Sequence, residues 1–172
     1  VKFSPPALIT NGHDARNFDC GNRALNEYLL KYALANTAAG LARTFVTTPP
    51  NEPGVAGYFS IAAGSVERQQ VPERVAQGTP QHPVPVALLA RLAVDKRFQG
   101  QKLGEGLLKH ALLKMWEASK IIGIRAILVH AKDQRAAEYY ARHGFVPSPV
   151  NSLHLMLLMK DVAKTLGGDG VG

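Results

Sequence analysis

Along this chain the spacing of apolar residues changes period several times, and each change predicts an element. Ala7 to Thr10 reads as a short strand broken by Asn11-Gly12-His13-Asp14. Leu25, Tyr28, Leu29 and Tyr32 then recur at helical spacing, with Asn22 placed as a cap. They predict an amphipathic helix from about Asn22 to Ala35 whose aromatics pack in the core. Arg43 to Thr48 and Gly57 to Val66 read as strands of an antiparallel hairpin, turned by Pro49-Pro50-Asn51-Glu52-Pro53-Gly54. Pro72 to Pro85, rich in Pro, Gln and Gly, reads as a loop, and Val86 to Val94 as an apolar strand. Leu107, Leu108, Ala111, Leu112 and Met115 form the stripe of a helix packed on a sheet, ending near Lys120. Ile124 to His130 predicts a strand, Asp133 to His143 a helix stopped by Gly144, and Leu153 to Met159 a last strand.

Composition narrows the class. With 172 residues, of which 46% are hydrophobic and 19% charged, the chain suits one globular α/β domain. We expect that domain over residues 1–166, followed by a disordered Gly-rich tail over residues 167–172. No apolar run approaches the roughly 18 residues of a membrane span, and the first residues lack the apolar segment of a secretory signal. Cys20 is the single cysteine, which excludes an intramolecular disulfide and a multi-cysteine zinc site. A reducing cytoplasm is the expected location, with no membrane partner. The six histidines show no metal-ligand spacing, so no metal is expected. Lys and Arg outnumber Asp and Glu by 20 to 13, a net charge of +7 that favours polyanionic partners but is also common in ordinary soluble domains.

The chemistry concentrates where the strand ending at Val94 leads into a Gly-rich turn and then a helix. That order makes an anion site, because a curled backbone presents N–H groups and the helix N-terminus adds positive potential. The spacing is neither the G-x-x-x-x-G-K-[ST] loop nor the G-x-G-x-x-G fingerprint. Gln101-Lys102-Leu103-Gly104-Glu105-Gly106 matches Q/R-x-x-G-x-G/A instead. A glycine-rich helix start without a ligand is the alternative. Further on, Ala136-Ala137-Glu138-Tyr139-Tyr140-Ala141-Arg142-His143-Gly144-Phe145 is an alanine-containing helix ending in Y-x-x-x-G-F.

Together these two motifs resemble the signatures of the GCN5-related N-acetyltransferase (GNAT) family, over most of Val86 to Phe145. The resemblance implies a mixed, mainly antiparallel central sheet flanked by helices, with a splayed central strand pair admitting the pantetheine arm. It implies acetyl-CoA as cosubstrate, bound by Leu92, Ala93, Val94, Gln99, Gly100, Gln101, Lys102, Leu103, Gly104, Glu105, Gly106 and Asp133. It also implies Tyr140 as the general acid that protonates the leaving thiolate, since a phenol near pKa 10 stays protonated at neutral pH. A purely packing role for Tyr140 is the alternative. Tyr139, about 100° round the helix, is expected to pack in the core.

Phe18-Asp19-Cys20-Gly21-Asn22, with Leu25 and Tyr28-Leu29, is similar to the F-x-C-G-x-x-x-L-x-x-[WY]-L opening of bacterial toxin acetyltransferases of the TacT/AtaT type. Leu92-Ala93-Val94-Asp95 and Ala131-Lys132-Asp133 resemble that group as well. The resemblance implies aminoacyl-tRNA as acceptor, a small ribbon-helix-helix antitoxin, contact with operator DNA through the antitoxin complex, and a structural Cys20. A homodimer stays open. Arg91 stands out in an apolar strand, either as a substrate contact or in a structural ion pair. Lys31, Arg43, Lys132, Arg135 and Arg142 are candidate RNA contacts or plain solvated charges. Acetylation of a small amine or protein terminus is the competing reading, and a non-catalytic DNA-binding or ligand-sensing module is another.

Overall fold

The apolar runs become strands β1 (Ala7–Leu8), β2 (Arg43–Thr47), β3 (Gly57–Val66), β4 (Val84–Val94), β5 (Ala126–His130), β6 (Val146–Pro147) and β7 (His154–Leu158). The computed structural model describes residues 2–166, and in it the strands form one sheet in the order β1-β2-β3-β4-β5-β7-β6. The β1–β2, β2–β3, β5–β7 and β6–β7 pairs are antiparallel, while β4 and β5 are parallel. The expected mixed, mainly antiparallel sheet with flanking helices is therefore present. The parallel register joins Val86–Leu89 to Ala126–Val129, so the last five residues of β4 run on past it. The Gly-rich tail lies outside the described residues.

By its internal contacts the chain divides into two compact units, Val1–Ala62 with Ala90–Ala111, and Ala63–Leu89 with Leu112–Gly172. In the first, Asn22 caps α1 (Arg23–Glu27) by accepting from the Leu25 N–H. The helix does not end near Ala35 as its periodicity predicts. It passes through a π-helical turn at Tyr28–Tyr32 into α2 (Ala33–Ala39), which Gly40 closes at φ 75°. The wider turn breaks the 3.6-residue period. Tyr28 and Leu29 stay in the core with Phe18, Val46 and Tyr58, whereas Tyr32 is 50% exposed, contrary to its predicted packing. The Pro-rich turn closes the β2–β3 hairpin as expected, with Thr47 opposite Gly57.

In the second unit the uninterrupted run Ala126–Val129 is wholly buried, as suits a strand covered on both faces. Its core joins Val84, Val86, Ala126, Leu128, Met156 and Leu158 to Val71 and Val75. Val75 belongs to α3 (Glu73–Ala76), a single turn inside the stretch that reads as loop. Pro72 supplies a fixed start, but four residues are too few for a helical period to register. β6 and the terminal α6 (Val162–Thr165) are short for the same reason and have no sequence signal. The helix after β4, α4 (Leu103–Ser119), begins four residues before the predicted Leu107. Gly104 and Gly106 thus lie inside its first turn. α5 (Gln134–Arg142) follows the predicted limits, with Asp133 as its cap.

Candidate active site

Asp95 follows β4 directly, is only 2% exposed, and caps a 3-10 turn at Lys96–Phe98 by accepting from the Arg97 N–H. Arg97 Nε returns to the same carboxylate at 3.0 Å. Burial opposes the charge on Asp95, yet the hydrogen bonds from Arg97 and from the Asp19 backbone outweigh it and hold its pKa below the ordinary carboxylate value. Beyond this turn the Gln99 side chain donates to the Val94 carbonyl at 2.9 Å. Gly100 and Lys102 follow in left-handed backbone, at φ 81° and 63°. For lysine this is an uncommon conformation, of the kind that clusters at ligand clamps.

The glycines of the first turn of α4 carry the clearest signal. Each costs about 1 kcal/mol against alanine in a helix, so something should require it. Backbone angle does not, since neither has positive φ. Packing does not either, because a Cβ on Gly104 would meet only Val94 Cγ2 at 3.7 Å and one on Gly106 nothing within 4 Å. Gly57 is the opposite case, where a Cβ would lie 2.8 Å from Leu107 Cδ1 and 3.2 Å from the Ala93 carbonyl oxygen. Gly57 lets α4 approach the sheet, while Gly104 and Gly106 leave open a helix N-terminus whose N–H groups face outward along its axis. That arrangement fits a diphosphate. Gln101, Lys102 and Glu105 are exposed, and Leu103 is half-buried. At the end of β4, Ala93 is buried between half-buried Leu92 and Val94.

Arg91 rests on an aromatic ring. Its guanidinium carbon lies 3.6 Å above the centre of the Tyr28 ring, a contact that stabilises a half-buried cation without an acid. Tyr28 in turn stacks on Tyr58, and its buried hydroxyl makes no hydrogen bond of good geometry. Burial raises its pKa, but the polar side chains of Thr44, Ser60 and Asn36 and the charge on Arg91 outweigh it and bring the phenol below its usual value. Of the other basic candidates in this unit, Lys31 pairs with Glu27 at 3.0 Å, and Arg43 donates to the Thr37 carbonyl.

In the second unit, Tyr140 is buried on α5, edge-on to Tyr139 and to Phe145. Burial first, and Tyr139 second, push its phenol well above the ordinary range, so it is fully protonated at neutral pH. The expectation for Tyr139 needs correcting, because that ring is the half-buried member of the pair and lies against His143 at 4.7 Å. The helix turns Tyr140 inward, so the core position belongs to it. Asp133, expected at the cofactor, spends one carboxylate oxygen as the cap of α5, accepting from the Ala136 N–H at 2.8 Å. Lys132, Arg135 and Arg142 are exposed around that helix. Cys20, half-buried, donates to the Asn22 carbonyl at 3.6 Å. Among the described residues, no group of three or more His, Cys, Asp or Glu could hold a metal. No described helix is long and apolar enough to cross a membrane.

A family model described as an acetyltransferase (GNAT) domain matches residues 55–147, from the end of the Pro-rich turn through β6. This chain belongs to the GNAT family. Within it, the chain is 45% identical over 167 residues to a tRNA-acetylating toxin of Mycobacterium tuberculosis (strain ATCC 25618 / H37Rv), covering 97% of this chain and 98% of that one. Solved GNAT structures are similar over nearly the whole length. AtaT complexed with acetyl-methionyl-tRNAfMet superposes at a TM-score of 0.87 with 27% identity, over 95% of this chain and 98% of the other. A tyrosine-to-phenylalanine variant of AtaT, bound to the C-terminus of the antitoxin AtaR and to acetyl-CoA, gives 0.79 and 25% over 97% and 99%. The KacTA–DNA complex gives 0.79 and 30% over 98% and 100%. Asp95 escaped the sequence reading as a site residue, although an Asp directly before a short 3-10 turn is a recognisable capping signal.

Proposed function

We propose that this protein is an acetyl-CoA-dependent N-acetyltransferase toxin that acetylates the α-amino group of aminoacyl-tRNA and so blocks translation. The observation that carries the reading is its end-to-end likeness to a tRNA-acetylating toxin, joined to a helix N-terminus that Gly104 and Gly106 leave open. Acetyl-CoA, when bound, supplies the acetyl group as an activated thioester. Backbone N–H groups from Gln99 to Glu105 hold its diphosphate, with Gly106, whose own N–H donates to the Lys102 carbonyl, keeping the approach open, and the main chain of Leu92, Ala93 and Val94 aligns the pantetheine arm. Tyr140 is the general acid. Its hydroxyl, protonated at neutral pH, donates its proton to sulfur as the C–S bond breaks and the new N–C bond forms, while the proton lost by the amine passes to solvent water, which reprotonates the phenolate.

The acceptor explains why no strong base is needed. An α-amine with a pKa near 7.7–8.0 is partly neutral at physiological pH, whereas a lysine amine near 10.4 is not. Arg91, Lys31, Arg43, Lys132, Arg135 and Arg142 are proposed to meet tRNA phosphates. The single GNAT domain is assigned to residues 1–166. A small ribbon-helix-helix antitoxin neutralises the enzyme and carries it to operator DNA, and the site of action is the cytoplasm, where charged tRNA is found. The test is to incubate total charged tRNA with labelled acetyl-CoA, then hydrolyse the ester and look for N-acetylated amino acids. The expected result is label on at least one amino acid and none on uncharged tRNA. Label confined to small amines or protein termini would replace this acceptor while leaving the acetyltransferase in place.

A further inference from the structure

Lys102, a non-glycine residue in left-handed backbone at φ 63°, costs conformational energy and persists only where its surroundings over-determine it. The stretch that leads into it, Asp95 to Gln99, is pinned by a segment almost eighty residues earlier in the chain. The Asp95 carboxylate accepts from the backbone N–H of Asp19 at 3.1 Å as well as from Arg97. The Lys96 N–H donates to the Asp19 carbonyl at 2.8 Å, and Gln99 Nε2 donates to the Cys20 carbonyl at 3.2 Å. Lys96 Nζ lies 3.5 Å from Asp19 Oδ2. Gly21, at φ 91°, leaves room for the Lys96 side chain, whose Cε would be 3.2 Å from a Cβ there.

The same segment is fastened on its other side. Asn26 Oδ1 accepts from the Cys20 N–H at 2.9 Å, and Asn26 Nδ2 donates to Asp19 Oδ1 at 3.0 Å. Phe18 is buried with its ring edge-on to Tyr58 at 5.6 Å. A loop that must aim several N–H groups at one diphosphate loses affinity if it has to be ordered at the moment of binding. We propose that Phe18–Asn22 is a strap that holds the Gln99–Gly106 loop in its coenzyme-binding conformation, with Asp95 as the positioning residue joining the two. The proposal rests on the assignment of that loop to acetyl-CoA. Asp95 does not touch the coenzyme and acts through the loop.

Two variants loosen the strap from opposite sides: Asp95→Asn, which keeps the shape and removes the charge, and Asn26→Ala. Each should raise KM for acetyl-CoA, and the calorimetric Kd for coenzyme A, about tenfold, the equivalent of one lost hydrogen bond to a charged group. Turnover at saturating acetyl-CoA and KM for charged tRNA should stay within about twofold, because the transition-state contacts are untouched. Amide hydrogen exchange over residues 96–102 should quicken in both variants without ligand. Leu158→Val, a core change in the other unit, should lower Tm and leave both constants alone. If Asp95→Asn fails to fold, Asn26→Ala decides alone. Wild-type KM and Kd in the variants, alongside a Gly104→Asp protein that has lost coenzyme A binding, would overturn the strap and keep the loop. Wild-type binding in Gly104→Asp would overturn the loop assignment and the strap with it.

Discussion

Tyr139 and Tyr140 adjoin on one turn of α5 and meet different surroundings. Tyr140 is in the core, with a phenol pushed upward by burial, while Tyr139 is half-buried beside His143. A phenol is protonated at every working pH and burial makes it a weaker acid still, so Tyr140 can give its proton only as basicity develops on the leaving sulfur. Tyr140→Phe should therefore keep acetyl-CoA affinity and lower transfer about 10²–10⁴-fold in single-turnover assays. Tyr139→Phe should retain turnover. Full activity in Tyr140→Phe would return that ring to a packing role. Tyr140 was readable from Y-x-x-x-G-F, because the motif fixes its distance from Gly144. Its partner's environment was not, since the facing of two adjacent residues depends on what the helix packs against.

At the ends of β5 and β7, His130 and His154 are cross-strand partners with stacked rings, centroids 3.9 Å apart. Burial first, and His154 second, lower the pKa of His130 below 6.5. The folded state then favours the neutral ring, and the unfolded chain binds more protons as the pH drops. The stability due to this group is fully present above about pH 6.5 and is lost as the pH falls through and below it. Thermal melts from about pH 7.5 to 5.5 should show Tm falling, with a shallower slope in His130→Gln. Equal slopes in the two proteins would remove His130 as a contributor. This pair was invisible in sequence because 24 positions separate its members and only strand register joins them. Long elements were legible for the converse reason: β3 matches its predicted limits, and α5 lies between a capping Asp133 and Gly144 at φ 92°.

Charge acts on the whole molecule. The excess of +7 should matter more for a tRNA, with many phosphates in reach, than for a coenzyme with few. Binding that neutralises several phosphates weakens steeply with salt through counterion release. Raising monovalent salt from about 50 to 200 mM should lower kcat/KM for charged tRNA more than tenfold, and the Kd for coenzyme A far less. Measuring both across one salt series checks this. Equal salt dependence would place the acceptor's binding energy outside its phosphates. The sign and size of the charge are plain in composition, but what each cation rests against inside the fold is not. Lys31 and Arg97 each face an acid, and Arg91 lies on an aromatic ring.

The family, the Gly-rich helix start and the motif that carries Tyr140 were all written in local sequence. Their motifs are short, and glycine, capping and periodicity act over a few residues. The same locality explains the misplaced start of α4: Gly104 and Gly106 read as turn residues, yet both lie in its first turn, where Leu103 and Leu107 pack over Gly57. Tertiary structure alone decided the seat of Arg91 on Tyr28 and the stitching of Asp19 and Cys20 to the loop after Asp95. Each of these joins residues by distance in space rather than along the chain, and no pattern of neighbouring side chains encodes that distance.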